Sequence, residues 1–142
     1  MKIAAAYFER LLASTDATGA LTQLDQVWCA RPGVSSSRSR FGLSEPEYDI
    51  HLVLLYSGAV MNGGHAQFLE GPLASFAADT VLALHRSGLA DLAAVLESAA
   101  GLTISLRVAD ATFDAASAGI DPALLQYARL HRDEICVPER DG

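Results

Sequence analysis

Asn62-Gly63-Gly64-His65-Ala66-Gln67-Phe68 places an imidazole and two side-chain amides around a pair of glycines, at the end of a strongly apolar run. Those residue types can do chemistry. An imidazole serves as general acid–base or metal ligand, and successive amides at a glycine turn can cradle an anion. His65 and Glu70, joined by Asn62 or His51, would make a small-ligand or metal site if they converged in an open pocket. The spacing weighs against it. The four histidines, His51, His65, His85 and His131, form no His-x-x-x-His pair and no doublet with cysteine. The P-loop, the Gly-x-Ser-x-Gly elbow and the dinucleotide fingerprint are missing from the sequence. Cys29 and Cys136 stand far apart with no histidine placed to activate either, and read as reduced, partly buried thiols. No catalytic residue, metal or cofactor is expected. The double glycine reads instead as a helix stop, with Gly63 holding positive φ, so that Gly63→Val should destabilise strongly.

The elements that must position this corner are helical. Residues 3–13 and 20–30 carry apolar stripes at helical spacing, with Asp16 to Gly19 as a stop between them. Arg31-Pro32-Gly33 opens a Ser/Arg-rich stretch, expected to be a mobile loop over residues 31–43. Ser44-Glu45-Pro46-Glu47 is a capping box. The helix it starts, residues 45–61, is apolar nearly all round and so predicts burial at the centre of the fold. A short helix at 65–70, an Ala-rich antiparallel pair at 73–86 and 89–100, and a turn at 110–116 follow. Asp121 and Pro122 open a closing helix that runs to about residue 136. Residues 102–108 alternate apolar and polar with period two, yet no other segment offers a strand partner; an extended connection or irregular helix start is expected there.

Length and charge bound the rest. The 142 residues, 51% hydrophobic, fit one domain able to bury a core without disulfides. The predicted fold is all-α, a compact single-domain bundle of seven or eight helices around residues 45–61. A net charge of −7 argues against direct binding to nucleic acid or an anionic membrane, and permits a basic partner. No run approaches a membrane span, and no signal-peptide core is complete, so a cytoplasmic protein is expected. Trp28, Tyr48, Tyr56 and Tyr127 are candidate interface anchors, with core packing favoured for Trp28 and Tyr56. A homodimer is a further expectation.

The run Leu55 to Leu69, with its Asn62-Gly63-Gly64-x-x-Gln67-Phe68 core, resembles a bacterial all-helical family named after a DNA-mimic protein and otherwise a domain of unknown function. The similarity extends over about residues 45–136, taking in the Ala-rich hairpin and the closing Tyr127 to Asp133 segment. His65 stands where the family usually has an aromatic residue, Leu69 replaces a second aromatic, and Gly71-Pro72 replaces a small polar turn. The function expected from the residues is that of a non-enzymatic interaction protein of unknown partner, while the resemblance implies a fold and one mechanism. The alternative it implies is a DNA mimic, whose carboxylates copy duplex phosphates and occupy the DNA-binding face of a transcription regulator. Duplex DNA carries one negative charge per ~1.7 Å of axis, so mimicry needs a dense one-sided array of acids. The candidates are Glu45, Glu47, Asp49, Asp110, Asp114 and Asp121, joined by the tail acids Asp133, Glu134, Glu139 and Asp141. Helix-dipole preference alone accounts for Glu45, Glu47 and Asp121.

Overall fold

A computed structural model describes residues 3–30 and 42–137. The expected loop lies outside the described residues over 31–41, as do Glu139, Arg140 and Asp141. The fold is all-α, with eight α-helices among the described residues. They are α1 (Ala5–Leu12), α2 (Ala17–Cys29), α3 (Glu45–Glu70), α4 (Ala77–Arg86), α5 (Ala90–Ala100), α6 (Leu106–Ala116), α7 (Ile120–Leu130) and α8 (Arg132–Ile135). Beside them is a two-residue parallel pairing of β1 (Ile3–Ala4) with β2 (Cys136–Val137), in register Ile3 to Cys136 and Ala4 to Val137. Helical periodicity conceals so short a pairing: Ile3–Ala4 was expected inside the first helix and Cys136 at the end of the closing one. No helix among the described residues is long and apolar enough to cross a membrane.

Local hydrogen bonds explain where the helices start. Asp16 does not only stop α1; its carboxylate accepts from the Gly19 amide at 3.0 Å and caps α2. The Ser44 amide donates to Glu47 Oε1 at 3.0 Å and the Glu47 amide to Ser44 Oγ at 3.4 Å, the reciprocal pair expected before α3. Ser105 Oγ accepts from the Val108 amide at 3.1 Å, which turns the alternating 102–108 segment into the cap and first turn of α6. Ala109 and Phe113 then face inward four apart, a helical spacing that the period-two pattern hid.

The helix α3 breaks inside its length. Gly63 has φ −147° and Gly64 φ +75°, ψ −178°, so residues 45–62 and 65–70 are two helical pieces with a corner between them. Gly64, not Gly63, is the left-handed residue. Its φ/ψ pair lies in a region essentially reserved for glycine.

The chain divides into two contact units, Asp49–Ile120 and Met1–Tyr48 with Asp121–Gly142. In the first, Ile50, Val53, Tyr56, Phe68, Leu84, Leu96 and Phe113 are buried. There α5 packs against both α4 and α6, and Val95, Ala99 and Ala109 form a cluster edged by Leu69, Ile104 and Leu106. In the second, Phe8, Leu21, Leu24, Trp28, Leu124 and Ile135 are buried. The Arg129 guanidinium there donates to the Leu12 carbonyl at 3.0 Å, Arg132 pairs with Glu9, and the Thr18 hydroxyl donates to Asp121.

Candidate functional site

The corner after residue 62 brings His65 into the core of residues 49–120, with its ring fully buried. The Asp110 carboxylate, arriving from α6, accepts twice through one oxygen: from the His65 backbone amide at 2.8 Å and from ring Nδ1 at 2.7 Å. A carboxylate only accepts, so Nδ1 is the donor in the ring's bond to Asp110. The Tyr56 hydroxyl lies 2.7 Å from the other ring nitrogen, Nε2, and shares a hydrogen bond with it. Tyr56 in turn is packed edge-on by Phe68 and Phe113, at centroid distances of 5.2 and 5.6 Å.

This order, phenol to imidazole to carboxylate, resembles a proton relay, but its electrostatics oppose that role. Burial, and secondarily the charge of Asp110, push the Tyr56 phenol well above its ordinary value, so it stays neutral. Its ring is fully buried, so no substrate reaches the hydroxyl. At Asp110, partial burial alone would raise the pKa. The hydrogen bonds from the His65 amide and ring, and the attraction of that ring, outweigh it and hold the carboxyl below its ordinary value. Both ring nitrogens of His65 are engaged in hydrogen bonds within the core. The chain of bonds is a structural lock. It satisfies a buried imidazole and phenol and supplies the His65–Glu70 helical piece with an acceptor for its first amide.

The rest of the motif builds the same corner. The Asn62 side-chain amide donates to Gln67 Oε1 at 2.9 Å. A Cβ at Gly63 would clash with that same oxygen, and one at Gly64 would lie 2.6 Å from Asp110 Oδ2. Phe68 is buried against Tyr56. Glu70, expected to face His65, is not among its partners; it sits exposed at the end of α3.

The candidate acids separate into three kinds. Glu47 and Asp49 are buried, at 1% and 0% exposure, and present no charge to a partner. Asp49 takes both ends of the Arg86 guanidinium, at 2.9 Å each, a bidentate pair between α3 and α4. Asp110 and Asp121 are half-buried, held by His65 and Thr18. Glu45 and Asp114 are exposed. Spacing along one chain could not reveal that burial, because the partner of Asp49 lies 37 residues away and that of Asp110 lies 45 away. The exposed acids of residues 49–120 are Glu70, Asp79, Asp91, Glu97 and Asp114, four of which were not among the candidates. Of the aromatic residues weighed as interface anchors, Trp28, Tyr48, Tyr56 and Tyr127 are all buried, and the core reading holds for each.

The family model of the DMP19-like protein matches residues 42–132. The chain therefore belongs to the DMP19-like protein family. No curated protein and no solved structure matches it.

Proposed function

We propose that this chain is a non-enzymatic protein-interaction domain, and that the acidic exterior of residues 49–120 meets a basic protein surface. The observation that carries the reading is the charge of that segment. It holds seven carboxylates and two arginines, and no lysine. Arg86 pairs with the buried Asp49, the carboxylates Glu70, Asp79, Asp91, Glu97 and Asp114 are exposed, and Arg107 is the other cation of the segment. An excess of this size attracts a basic partner and repels nucleic acid. The buried, fully bonded His65 gives no support to a ligand or metal site there.

Membership of the DMP19-like family fits an interaction role and supports the sharper alternative, mimicry of DNA toward a regulator. The same carboxylate excess favours it. The test is capture of partners from cells of the source organism on immobilised wild-type chain and on the variant D79N/D91N/E97Q/D114N. A partner held by the wild type and lost by the variant is the expected result; equal capture on both overturns the reading. Adding duplex DNA then separates the two forms of it. A mimic is displaced by DNA, whereas a partner that holds chain and DNA together is bound in another way.

A further inference from the structure

Asn62 is the only asparagine of the chain, and a glycine follows it. Such a pair can react with itself, because attack of the glycine backbone nitrogen on the asparagine Cγ closes an unstrained five-membered ring. Glycine has no Cβ to crowd that nitrogen and takes up the backbone conformations that ring closure needs. Asn62 and Gly63 are both exposed, so water reaches the reacting atoms. Two features of the corner hold the reaction back. Asn62 is the last residue of helical backbone before Gly63 and Gly64 leave the helix, and a regular helix resists the near-attack geometry of nitrogen and Cγ. The side chain is also tied, its Nδ2 donating to Gln67 Oε1 at 2.9 Å. That bond joins two exposed side chains across the end of a helical piece, the kind of contact that opens without unfolding the core. The same few residues therefore carry a reactive pair and its restraint.

We propose that Asn62–Gly63 is a site of spontaneous covalent modification, gated by opening of the Asn62–Gln67 bond. In the opened corner the Gly63 nitrogen bonds to Asn62 Cγ and gives its proton to solvent base. The side-chain nitrogen takes up a proton from water and leaves as ammonia, which completes a succinimide. Water then adds to one of the two ring carbonyls. At the side-chain carbonyl it breaks the new bond and leaves an aspartate. At the main-chain carbonyl it breaks the original peptide bond and leaves an isoaspartate, through whose side chain the backbone now runs. The sum of the steps is amide plus water giving carboxylic acid plus ammonia, with water as the sole co-reactant. Either product adds a negative charge to the acidic segment 49–120. The isoaspartate also lengthens the main chain by one carbon, three residues before the His65 amide that Asp110 holds at 2.8 Å.

The test follows the intact mass of the full chain during weeks of incubation at body temperature and mildly alkaline pH, for the wild type, Q67A, Q67E and N62Q. The wild type should gain one mass unit and release one ammonia per chain, and its proteolytic fragments should place the gain at residue 62. Q67A lacks the acceptor and should react faster by about two- to tenfold, the factor that one net hydrogen bond corresponds to. Q67E keeps an acceptor oxygen and should stay near the wild-type rate. N62Q would need a six-membered ring and should hold its mass over the same period. Circular dichroism before incubation checks that each variant is as helical as the wild type. An unchanged mass in both the wild type and Q67A, or an equal gain in N62Q, overturns the site. Equal rates in a reacting wild type and Q67A, or a Q67E as fast as Q67A, overturn the gate.

Discussion

At His65 the fold spends a buried imidazole on joining three segments. Replacing it with alanine leaves the Tyr56 hydroxyl without its partner and takes the ring donor from the inner oxygen of Asp110, which keeps the backbone amide of residue 65. His65→Ala should therefore destabilise by about 2–4 kcal/mol in urea unfolding, a cavity added to an unsatisfied buried donor. Tyr56→Phe keeps the ring packing and strands only Nε2, so a loss of about 1–2 kcal/mol is expected. Asp110 adds a pH dependence whose sign follows from its lowered pKa. The ionised carboxylate is the bonded form, so its contribution is complete above the unfolded value near 3.8 and is lost as the pH falls through the lower folded value. Asp110→Asn should flatten the stability profile in that acid window; an unchanged profile would remove Asp110 from the lock. Cys29 makes a second residue-scale case. Burial, then the charge and hydrogen bond of Asp25, push its thiol up to about 11. Only about one thiolate in 3,000 is present at pH 7.5, so in a Cys136→Ser background alkylation should be far slower than for an exposed cysteine. His65 was legible in the sequence as an oddity beside a glycine turn. Its partners were not, because Tyr56 and Asp110 reach it only through tertiary packing, and no spacing rule connects a residue in α3 with one in α6.

At the scale of elements, the corner inside α3 and the pair between α3 and α4 decide how residues 49–120 are built. The two glycines of the corner are not equivalent. Gly64 combines φ +75° with a carboxylate oxygen 2.6 Å from any added Cβ, whereas Gly63 has an allowed φ and meets the side chain of the exposed Gln67. Gly64→Ala should destabilise by about 2–3 kcal/mol and Gly63→Ala by less than about 1 kcal/mol. Equal losses would place the strain at the wrong residue. Arg86→Ala leaves the Asp49 charge buried without its guanidinium and should lose about 3 kcal/mol or more. The helices themselves were legible wherever their ends carry local chemistry. The capping box at Ser44 and the glycine stop near residue 63 are read from adjacent residues, since caps and turns are short-range physics. The α6 start stays open in the sequence, between an extended connection and an irregular helix start, for the opposite reason. Its four leading residues alternate by chance, and only the bond from Val108 to Ser105 shows the segment turning into a helix.

The molecule as a whole distributes its charge unevenly, and that is where the functional reading stands. Residues 49–120 carry seven acids and two arginines, while the remaining 70 residues carry ten acids against eight basic side chains. A nearly balanced remainder contributes little long-range field, so attraction of a basic partner should come from 49–120. Such steering acts on encounter rather than on the life of the complex. Raising salt from ~50 to ~200 mM shortens the Debye length below ~10 Å and should cut the association rate with the captured partner several-fold, with dissociation little changed. The variant D79N/D91N/E97Q/D114N should start slower and show a shallower salt slope. Neutralising Glu45 and Asp133, exposed acids outside that segment, should leave the slope close to that of the wild type. A partner whose association ignores salt, or responds equally to both sets of substitutions, would mean that recognition does not run through the charge of residues 49–120.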